Sequence, residues 1–362
     1  MPVPQQRDPE VTRERLRTWL AARLPGSSDL EIAELTVPHS GFSTETLLFR
    51  AAWRTGRTPA GGRFAARVAG RSYQLYPEAR LGTQCRLQRV LYGTGVVPVP
   101  RVHWFERDPA VLGAPFYVME QVAGQVPADL PSYHREGWVA ELDEPGRARL
   151  WHGGIEALSR LHALDVHALG LHFAALTGHR TPRHGSHLDH QLDYYERYLD
   201  HFDRADDPLA LRTLAWLRAH RPPEPARPSL LWGDARLGNI IFSAAGRPAA
   251  LLDWEMASLG APETDLAWFL YLDRHLSEGI GADRLPGLPG RDETVARYEE
   301  LSGRTVHHLD YYEVFAGFRL MLITARLTGL VLAHGMVPPG TDFPLARNTA
   351  RLLARTLEGV RR

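Results

Sequence analysis

The segment 229–270 constrains the fold more than any other part of the chain, because it places three polar side chains at set offsets among short apolar strands. It reads SLLWGDARLGNIIFSAAGRPAALLDWEMASLGAPETDLAWFL. Asp234 lies five residues before Asn239, and Asp253 lies fourteen residues after it. The residues from Asn239 alternate into a turn with glycine and proline, and an apolar run then leads to Asp253. This pattern predicts a hairpin that returns Asp253 towards Asn239.

A hairpin of this kind can carry metal chemistry. A carboxylate and an amide oxygen at strand ends can hold Mg²⁺, which prefers oxygen ligands and leaves room for substrate phosphates. Asp234, offset from both, is then available to accept a proton. Protein kinases use the same Asp-x₄-Asn and second Asp as a base and two metal ligands. The alternative is a plain β-hairpin whose Asn and Asp side chains only cap turns.

Composition narrows the class of partner. The 362 residues balance 42 basic against 42 acidic side chains, so no basic field favours nucleic acid, and a small-molecule partner is expected. The lone Cys85 is compatible with a reducing cytoplasm. The N-terminus predicts an amphipathic helix rather than a signal peptide. The apolar run 315–333 contains two arginines and predicts a buried helix rather than a membrane span.

The chain before residue 125 has strand patterns that frame a loop. Residues 38–44 form a loop rich in small residues between two predicted strands, which is a phosphate-covering shape. A third strand follows, on which alternation places Arg67 and Arg63 on one face. The sequence contains no lysine, so a cation on this strand must be arginine, whose planar fork also binds phosphate. The alternative is an exposed strand arginine.

The central segment resembles the aminoglycoside phosphotransferase family and its choline-kinase relatives. That family has a loop reading His-Gly-Asp-x₄-Asn and a strand ending Asp-Trp-Glu, which stand here as 232–234 and 253–255, with Trp232 in place of the histidine. The resemblance implies an α+β, protein-kinase-like bilobal fold with a five-stranded antiparallel N-lobe and a mainly helical C-lobe. The implied divisions are an N-terminal helix at 1–29, the N-lobe at 30–119, a hinge at 120–124 and the C-lobe at 125–362.

The resemblance also implies roles for individual residues. Asp234 would be the catalytic base and Arg236 would reach the γ-phosphate, unless Arg236 forms a salt bridge to Glu255 or Glu263. Asn239 and Asp253 would be the metal ligands. Residues implied for the nucleotide are Gly41, Ser43, Thr44 and Arg67 at the phosphates, and Met119, Glu120 and Val122 at the adenine. Gln84 stands where the family pairs a glutamate with the strand lysine, and Asp265 is implied as support for the catalytic loop.

These residues together predict an ATP- or GTP-dependent, Mg²⁺-requiring kinase that phosphorylates a hydroxyl group of a small molecule. The alternative is a nucleotide-binding pseudokinase with a regulatory or scaffold role, which the missing lysine, Gln84 and Trp232 would favour. Against that alternative stands the complete set of Asp234, Asn239 and Asp253. A metal-dependent hydrolase is a further possibility, but the sequence lacks the ligand cluster of a two-metal site.

Overall fold

The computed structural model describes residues 7–37, 44–70, 74–175, 185–338 and 340–361. These form two compact units. The first comprises Met1–Arg89, Pro100–Val122 and Leu330–Pro339, and the second comprises Val90–Val99, Ala123–Gly329 and Gly340–Arg362. The chain therefore passes from the sheet of the first unit into the second directly after Val122.

The strands and helices follow in chain order. They are α1 Pro9–Ala21, β1 Ser27–Thr36, β2 Thr44–Thr55, β3 Thr58–Ala69, α2 Leu81–Thr94, β4 Val102–Glu106, α3 Pro109–Leu112, β5 Phe116–Glu120, α4 Trp138–Glu141, α5 Glu144–His162, α6 His187–His201, α7 Pro208–Ala219, β6 Ser229–Leu231, β7 Ile240–Phe242, β8 Pro248–Leu251, β9 Ser258–Gly260, α8 Glu263–Leu276, α9 Arg291–Ser302, α10 Leu309–Ala333 and α11 Leu345–Gly359.

The first unit is built on one antiparallel sheet of order β1-β2-β3-β5-β4. The prediction of five antiparallel strands is therefore confirmed. Apolar residues alternate along β2 and β3 and lie on one buried face of the sheet. Two of them, Phe49 and Phe64, stack across the strands with ring centroids 5.6 Å apart. Helix α1 starts at Asp8, whose side chain accepts from the amide of Val11, and buries Trp19 against the sheet.

The second unit is mainly helical, with two short β-ladders that carry the central motif. Strand β6 pairs with β9, and β7 pairs with β8 as the predicted hairpin. The amide of Leu251 donates to the carbonyl of Pro98 at 2.8 Å, which ties the 90–99 segment to this unit. Gln125 forms an isolated bridge with Phe242 on the other side of the hairpin. The hairpin is thus held by backbone bonds from several directions.

Helix α10 runs through the interior of this unit. By length and composition alone it could cross a membrane, but 67% of its apolar window is buried, as is usual for a core helix. It also carries Arg319, which is 3% exposed and donates to the hydroxyl of Tyr195 and the carbonyl of Gly233. Burial of an arginine requires such partners, because an unpaired charge in the interior is costly. The apolar composition of α10 therefore reflects its place in the core.

Candidate active site

The loop after β6 begins with a turn that only glycine accommodates. Gly233 has φ of +88°, and a Cβ at this position would lie 2.1 Å from the carbonyl oxygen of Met256. The left-handed backbone and the backbone clash both exclude a side chain here. The turn redirects the chain so that Asp234 follows immediately, with its side chain 16% exposed.

A buried carboxylate holds this turn from behind. Asp265, in the first turn of α8 and 0% exposed, accepts from the amide of Trp232 at 2.6 Å and from the amide of Gly233 at 2.9 Å. It also accepts from Nε2 of His162 at 3.2 Å, and Nδ1 of that ring lies 2.8 Å from the hydroxyl of Tyr298. A buried carboxylate with three donors is satisfied and rigid. The geometry supports the predicted role of Asp265 as a support of the loop.

Three side chains donate to the carboxylate of Asp234. Trp268 Nε1 lies 2.8 Å from Oδ1, and Asn239 Nδ2 lies 2.7 Å from Oδ2. Arg236 Nε lies 3.2 Å from Oδ1 and 3.1 Å from Oδ2. These contacts fix the orientation of the carboxylate.

Arg236 lies between two carboxylates. Its Nη1 donates to Oδ2 of Asp129, while its Nε contacts Asp234. The alternative partners predicted from the sequence, Glu255 and Glu263, are wrong, because this arginine pairs with Asp129 and Asp234 instead. Burial alone would lower the pKa of Arg236, but the charges of Asp129 and Asp234 outweigh it, so the pKa lies above its ordinary value.

The hairpin brings Asp253 next to Asn239, as the sequence predicts. The amide of Leu252 donates to the carbonyl of Asn239 at 2.8 Å, and Trp232 Nε1 donates to the carbonyl of Leu252 at 2.7 Å. Asp253 follows with φ of +57°, a left-handed conformation that aspartate tolerates. Trp232, the residue that replaces the family's histidine, therefore anchors the backbone that carries Asp253.

The donor set at this point fits a magnesium ion. Because the amide nitrogen of Asn239 donates to Asp234, its oxygen is the group left for a metal, and the backbone bond from Leu252 to Asn239 brings the next residue, Asp253, to the same strand end. In the part of the chain that the structure describes, no group of three or more His, Cys, Asp or Glu side chains could hold a metal ion. Two oxygen ligands from protein are typical of Mg²⁺ that is shared with substrate phosphates.

Two of the residues predicted to contact phosphates, Thr44 and Arg67, belong to the first unit. Gly41 and Ser43 lie outside the described residues. Thr44 begins β2 and is 5% exposed, and its hydroxyl has no hydrogen-bond partner among the described residues. Arg67 on β3 donates from Nη1 to Thr46 Oγ1 at 3.3 Å, among other contacts. Arg67 and Thr46 are direct partners across the β2–β3 ladder.

Gln84, which stands at the family's glutamate position, is a buried polar residue of α2. It is 2% exposed, and its Oε1 accepts no hydrogen bond from any described residue. A neutral amide attracts a guanidinium far less than a carboxylate would.

The residues predicted to contact adenine lie at the end of β5. Met119 is 7% exposed and pairs with Ala65 in the sheet. The amide of Glu120 donates to the carbonyl of Arg101 at 2.9 Å, so only the carbonyl of Glu120 could serve a nucleotide base. Val122 closes the first unit and is half-buried.

A sequence model of the phosphotransferase enzyme family, APH, matches residues 34–300 of the chain. The chain belongs to this family. The membership confirms the resemblance drawn from the Asp234 and Asp253 motifs, and it extends over both compact units.

Solved structures similar to this APH chain share its fold. A presumed aminoglycoside phosphotransferase of Ralstonia eutropha has a TM-score of 0.69 at 21% identity, over 96% of this chain and 98% of that one. A thermostable mutant of the aminoglycoside phosphotransferase APH(4)-Ia, in complex with AMP-PNP and hygromycin B, has a TM-score of 0.58 at 14% identity, over 95% and 98%. These similarities confirm the predicted α+β, kinase-like fold.

Curated relatives of the APH chain are longer proteins. Acyl-CoA dehydrogenase family member 11 of Rattus norvegicus is 25% identical over 369 residues, which is 95% of this chain and 44% of that protein. The chain spans less than half the length of the curated relatives it matches.

Three residues that support the APH motif were missed by sequence reasoning. They are Asp129, Trp268 and Arg319. Arg319 donates from Nη2 to the carbonyl of Gly233 at 2.7 Å, and its guanidinium lies 4.4 Å from the ring centroid of Trp268. Trp268 in turn donates to Asp234. The only available signal was a charged residue, Arg319, inside an apolar run.

Proposed function

We propose that the chain is a small-molecule kinase that transfers the γ-phosphoryl group of ATP or GTP to a hydroxyl group. The observation that carries the proposal is the carboxylate of Asp234, which accepts from Trp268, Arg236 and Asn239. Asp253 follows the strand that pairs with the one after Asn239. Phosphoryl transfer depends mainly on positioning and on neutralising charge, and a base of this kind beside metal ligands meets that need.

The proposed roles follow from the donor and acceptor chemistry. Asp234 would accept the proton of the attacking hydroxyl. Asn239 and Asp253 would hold Mg²⁺, which when bound neutralises charge on the phosphates. Arg236 would contact the γ-phosphate, since its guanidinium stays protonated at all working pH values.

Nucleotide binding is proposed for the first unit. Thr44 and Arg67 would contact phosphates together with Gly41 and Ser43, and Met119 would line the adenine pocket with Val122. The carbonyl of Glu120 would accept from the base, because its amide is already bonded within the sheet. The absence of lysine leaves Arg67 as the strand cation that this arrangement requires.

The first experiment measures nucleotide binding and turnover separately. Asp234→Asn and Asp234→Ala should keep nucleotide affinity within about threefold and lower phosphoryl transfer about 10²- to 10⁴-fold, as expected for loss of a general base. Two variants are needed because an amide nitrogen in the asparagine would face one of the donors that now contact the carboxylate. Full transfer activity in both variants would contradict the role of Asp234.

The second experiment tests the metal ligands. Asp253→Ala should weaken Mg²⁺-dependent thermal stabilisation by ATP or GTP and abolish slow nucleotide hydrolysis. Asp193→Ala is the control, because Asp193 is a carboxylate of the same unit whose partner, Arg218, lies outside the motif. Equal loss of nucleotide response in Asp253→Ala and the control would contradict the metal assignment.

The acceptor is sought with a panel of hydroxyl compounds. The panel should include an aminoglycoside, because a structural relative binds hygromycin B, and hydroxyl-bearing acyl-CoA thioesters, because the longer relatives carry the acyl-CoA dehydrogenase name. Transfer to any member establishes the kinase and its alcohol-type acceptor. Tight nucleotide binding without turnover on the whole panel would favour the pseudokinase alternative.

Cytoplasmic location is part of the proposal, since the nucleotide co-substrates are cytoplasmic. Cys85 is 2% exposed, and burial raises the pKa of its thiol, so it stays in the unreactive protonated form. No nucleic-acid or membrane partner is proposed, because the formal charge is zero and the one long apolar helix is mostly buried.

A further inference from the structure

We propose that Asp129 is a positioning residue for phosphoryl transfer, which draws Arg236 away from Asp234 when the substrate hydroxyl arrives. This inference rests on the proposed kinase function. It concerns a residue 107 positions from Arg236 in the sequence, outside every motif described above.

Three N–H groups crowd the carboxylate of Asp234. Trp268 donates to Oδ1, Asn239 donates to Oδ2, and the single Nε hydrogen of Arg236 is shared between both oxygens. Arg236 therefore covers the space between the two oxygens. A substrate hydroxyl can approach that space only if Arg236 moves.

Arg236 is the donor that leaves most readily. Its contacts with the carboxylate measure 3.1 and 3.2 Å, whereas those of Trp268 and Asn239 measure 2.8 and 2.7 Å. Trp268 is also held in place, since Arg319 stacks on its ring. The side chain of Arg236 is long and flexible, and it already reaches a second anion.

Asp129 has an unused oxygen for the released arginine. Its Oδ2 accepts from Arg236 Nη1, while its Oδ1 is buried and has no partner among the described residues. A guanidinium binds a carboxylate best through two parallel bonds, one to each oxygen. Arg236 can therefore change from a shared position to a bidentate pair with Asp129, which satisfies the buried oxygen and frees Asp234.

Gly238 makes room for this movement. A Cβ at Gly238 would lie 2.4 Å from Arg236 Nη1 and 2.6 Å from Asp129 Oδ1, so both groups lie against the bare backbone at this position. An alanine there would displace the ends of two side chains rather than the backbone. Gly238→Ala is thus a steric probe of the ion pair that leaves both charges in place.

The charge balance gives the direction of the effect. With Asp129 neutral, Asp234 is the carboxylate that still forms an ion pair with Arg236, and a partly buried arginine binds that remaining partner more tightly. The base then stays paired, and its proton-accepting site is blocked. Nucleotide binding is expected to change little, because Arg236 keeps its charge and the other proposed nucleotide and metal contacts are unaltered in these variants.

The experiment compares steady-state kinetics of four variants with the wild-type chain, on the acceptor found in the panel or on nucleotide hydrolysis. Asp129→Asn should lower kcat about 10- to 100-fold, with KM for the nucleotide within about threefold. Asp129→Glu should recover kcat to within about fivefold, and Gly238→Ala should give an intermediate loss. Asp193→Asn, which neutralises the partner of Arg218, should leave kcat unchanged.

Each result bears on the proposal. A wild-type kcat in both Asp129→Asn and Gly238→Ala would overturn it, and so would a loss in Asp129→Glu as large as in Asp129→Asn. Should Asp129→Asn fail to fold, as judged by circular dichroism, the comparison of Gly238→Ala with Asp129→Glu decides. Absence of turnover in the wild-type chain would instead refute the kinase function itself, and this role with it.

Discussion

Replacing Trp232 with phenylalanine tests whether this tryptophan positions Asp253, the proposed metal ligand. Trp232 is 1% exposed, and its Nε1 donates to the carbonyl of Leu252 at 2.7 Å. Leu252 directly precedes Asp253, and its amide is bonded to Asn239. Phenylalanine keeps an aromatic ring at the site but cannot donate, so the carbonyl of Leu252 loses its indole partner.

The loss of stability follows from two contributions. A buried carbonyl left without its donor costs about 1–3 kcal/mol. The smaller ring gives up buried apolar volume, which costs roughly a further 1–2 kcal/mol at about 0.8 kcal/mol per methylene-sized group. We therefore expect the free energy of unfolding to fall by about 2–5 kcal/mol. Because outer-shell partners of a metal ligand typically matter about 10-fold or more, the Mg²⁺ half-saturation concentration should rise about 10-fold.

Urea unfolding and Mg²⁺ titration of nucleotide turnover measure the two effects. Trp151→Phe is the matched control, because Trp151 is 0% exposed in the same compact unit and its Nε1 donates to Thr294 Oγ1 at 2.8 Å. The control should lose similar stability but keep the wild-type Mg²⁺ dependence. The reasoning is refuted if Trp232→Phe keeps that dependence too, or if both variants change it equally.

Two further predictions concern Arg319 and His275, which are buried basic side chains of the second unit. Arg319→Lys should lower both stability, by about 1–3 kcal/mol, and kcat, because lysine cannot both bond the Gly233 carbonyl and stack on an aromatic ring. The control is Arg326→Lys, because Arg326 lies on the same helix and stacks on the ring of Phe202. This control should leave kcat unchanged, and an equal kcat for both variants would argue against the role of Arg319. Burial lowers the pKa of His275 from about 6.5 to about 4, so its contribution to stability is complete above pH 6.5 and is lost as the pH falls towards 4, where the unfolded chain binds the extra proton. Between pH 6.5 and 4, urea unfolding should show that the free energy of unfolding of His275→Asn falls by up to about 3 kcal/mol less than that of the wild-type chain. The same pH dependence in both proteins would contradict this prediction.

Local sequence patterns predicted the elements of the fold well. Alternation in β2 and β3 and the apolar run at β8 identify strands because their side chains obey a two-residue period wherever one face is buried. The hairpin that joins Asn239 to Asp253 was predictable for the same reason, since its two strands are separated by one short turn. The Oε1 of the buried Gln84, unpaired among the described residues, was not predictable, because no local pattern shows which polar groups an interior helix meets.

The sequence by itself determined which chemical groups the motif contains, namely two carboxylates and an amide within twenty residues, and it showed that the chain has no lysine. Only the tertiary structure decided what holds that chemistry in place. Asp129 meets Arg236 across 107 residues, and Arg319 meets Gly233 across 86. No periodic pattern in the sequence identifies such partners. A buried polar group needs a hydrogen-bond partner in space, and the fold of the whole unit determines which residue lies close enough to be that partner.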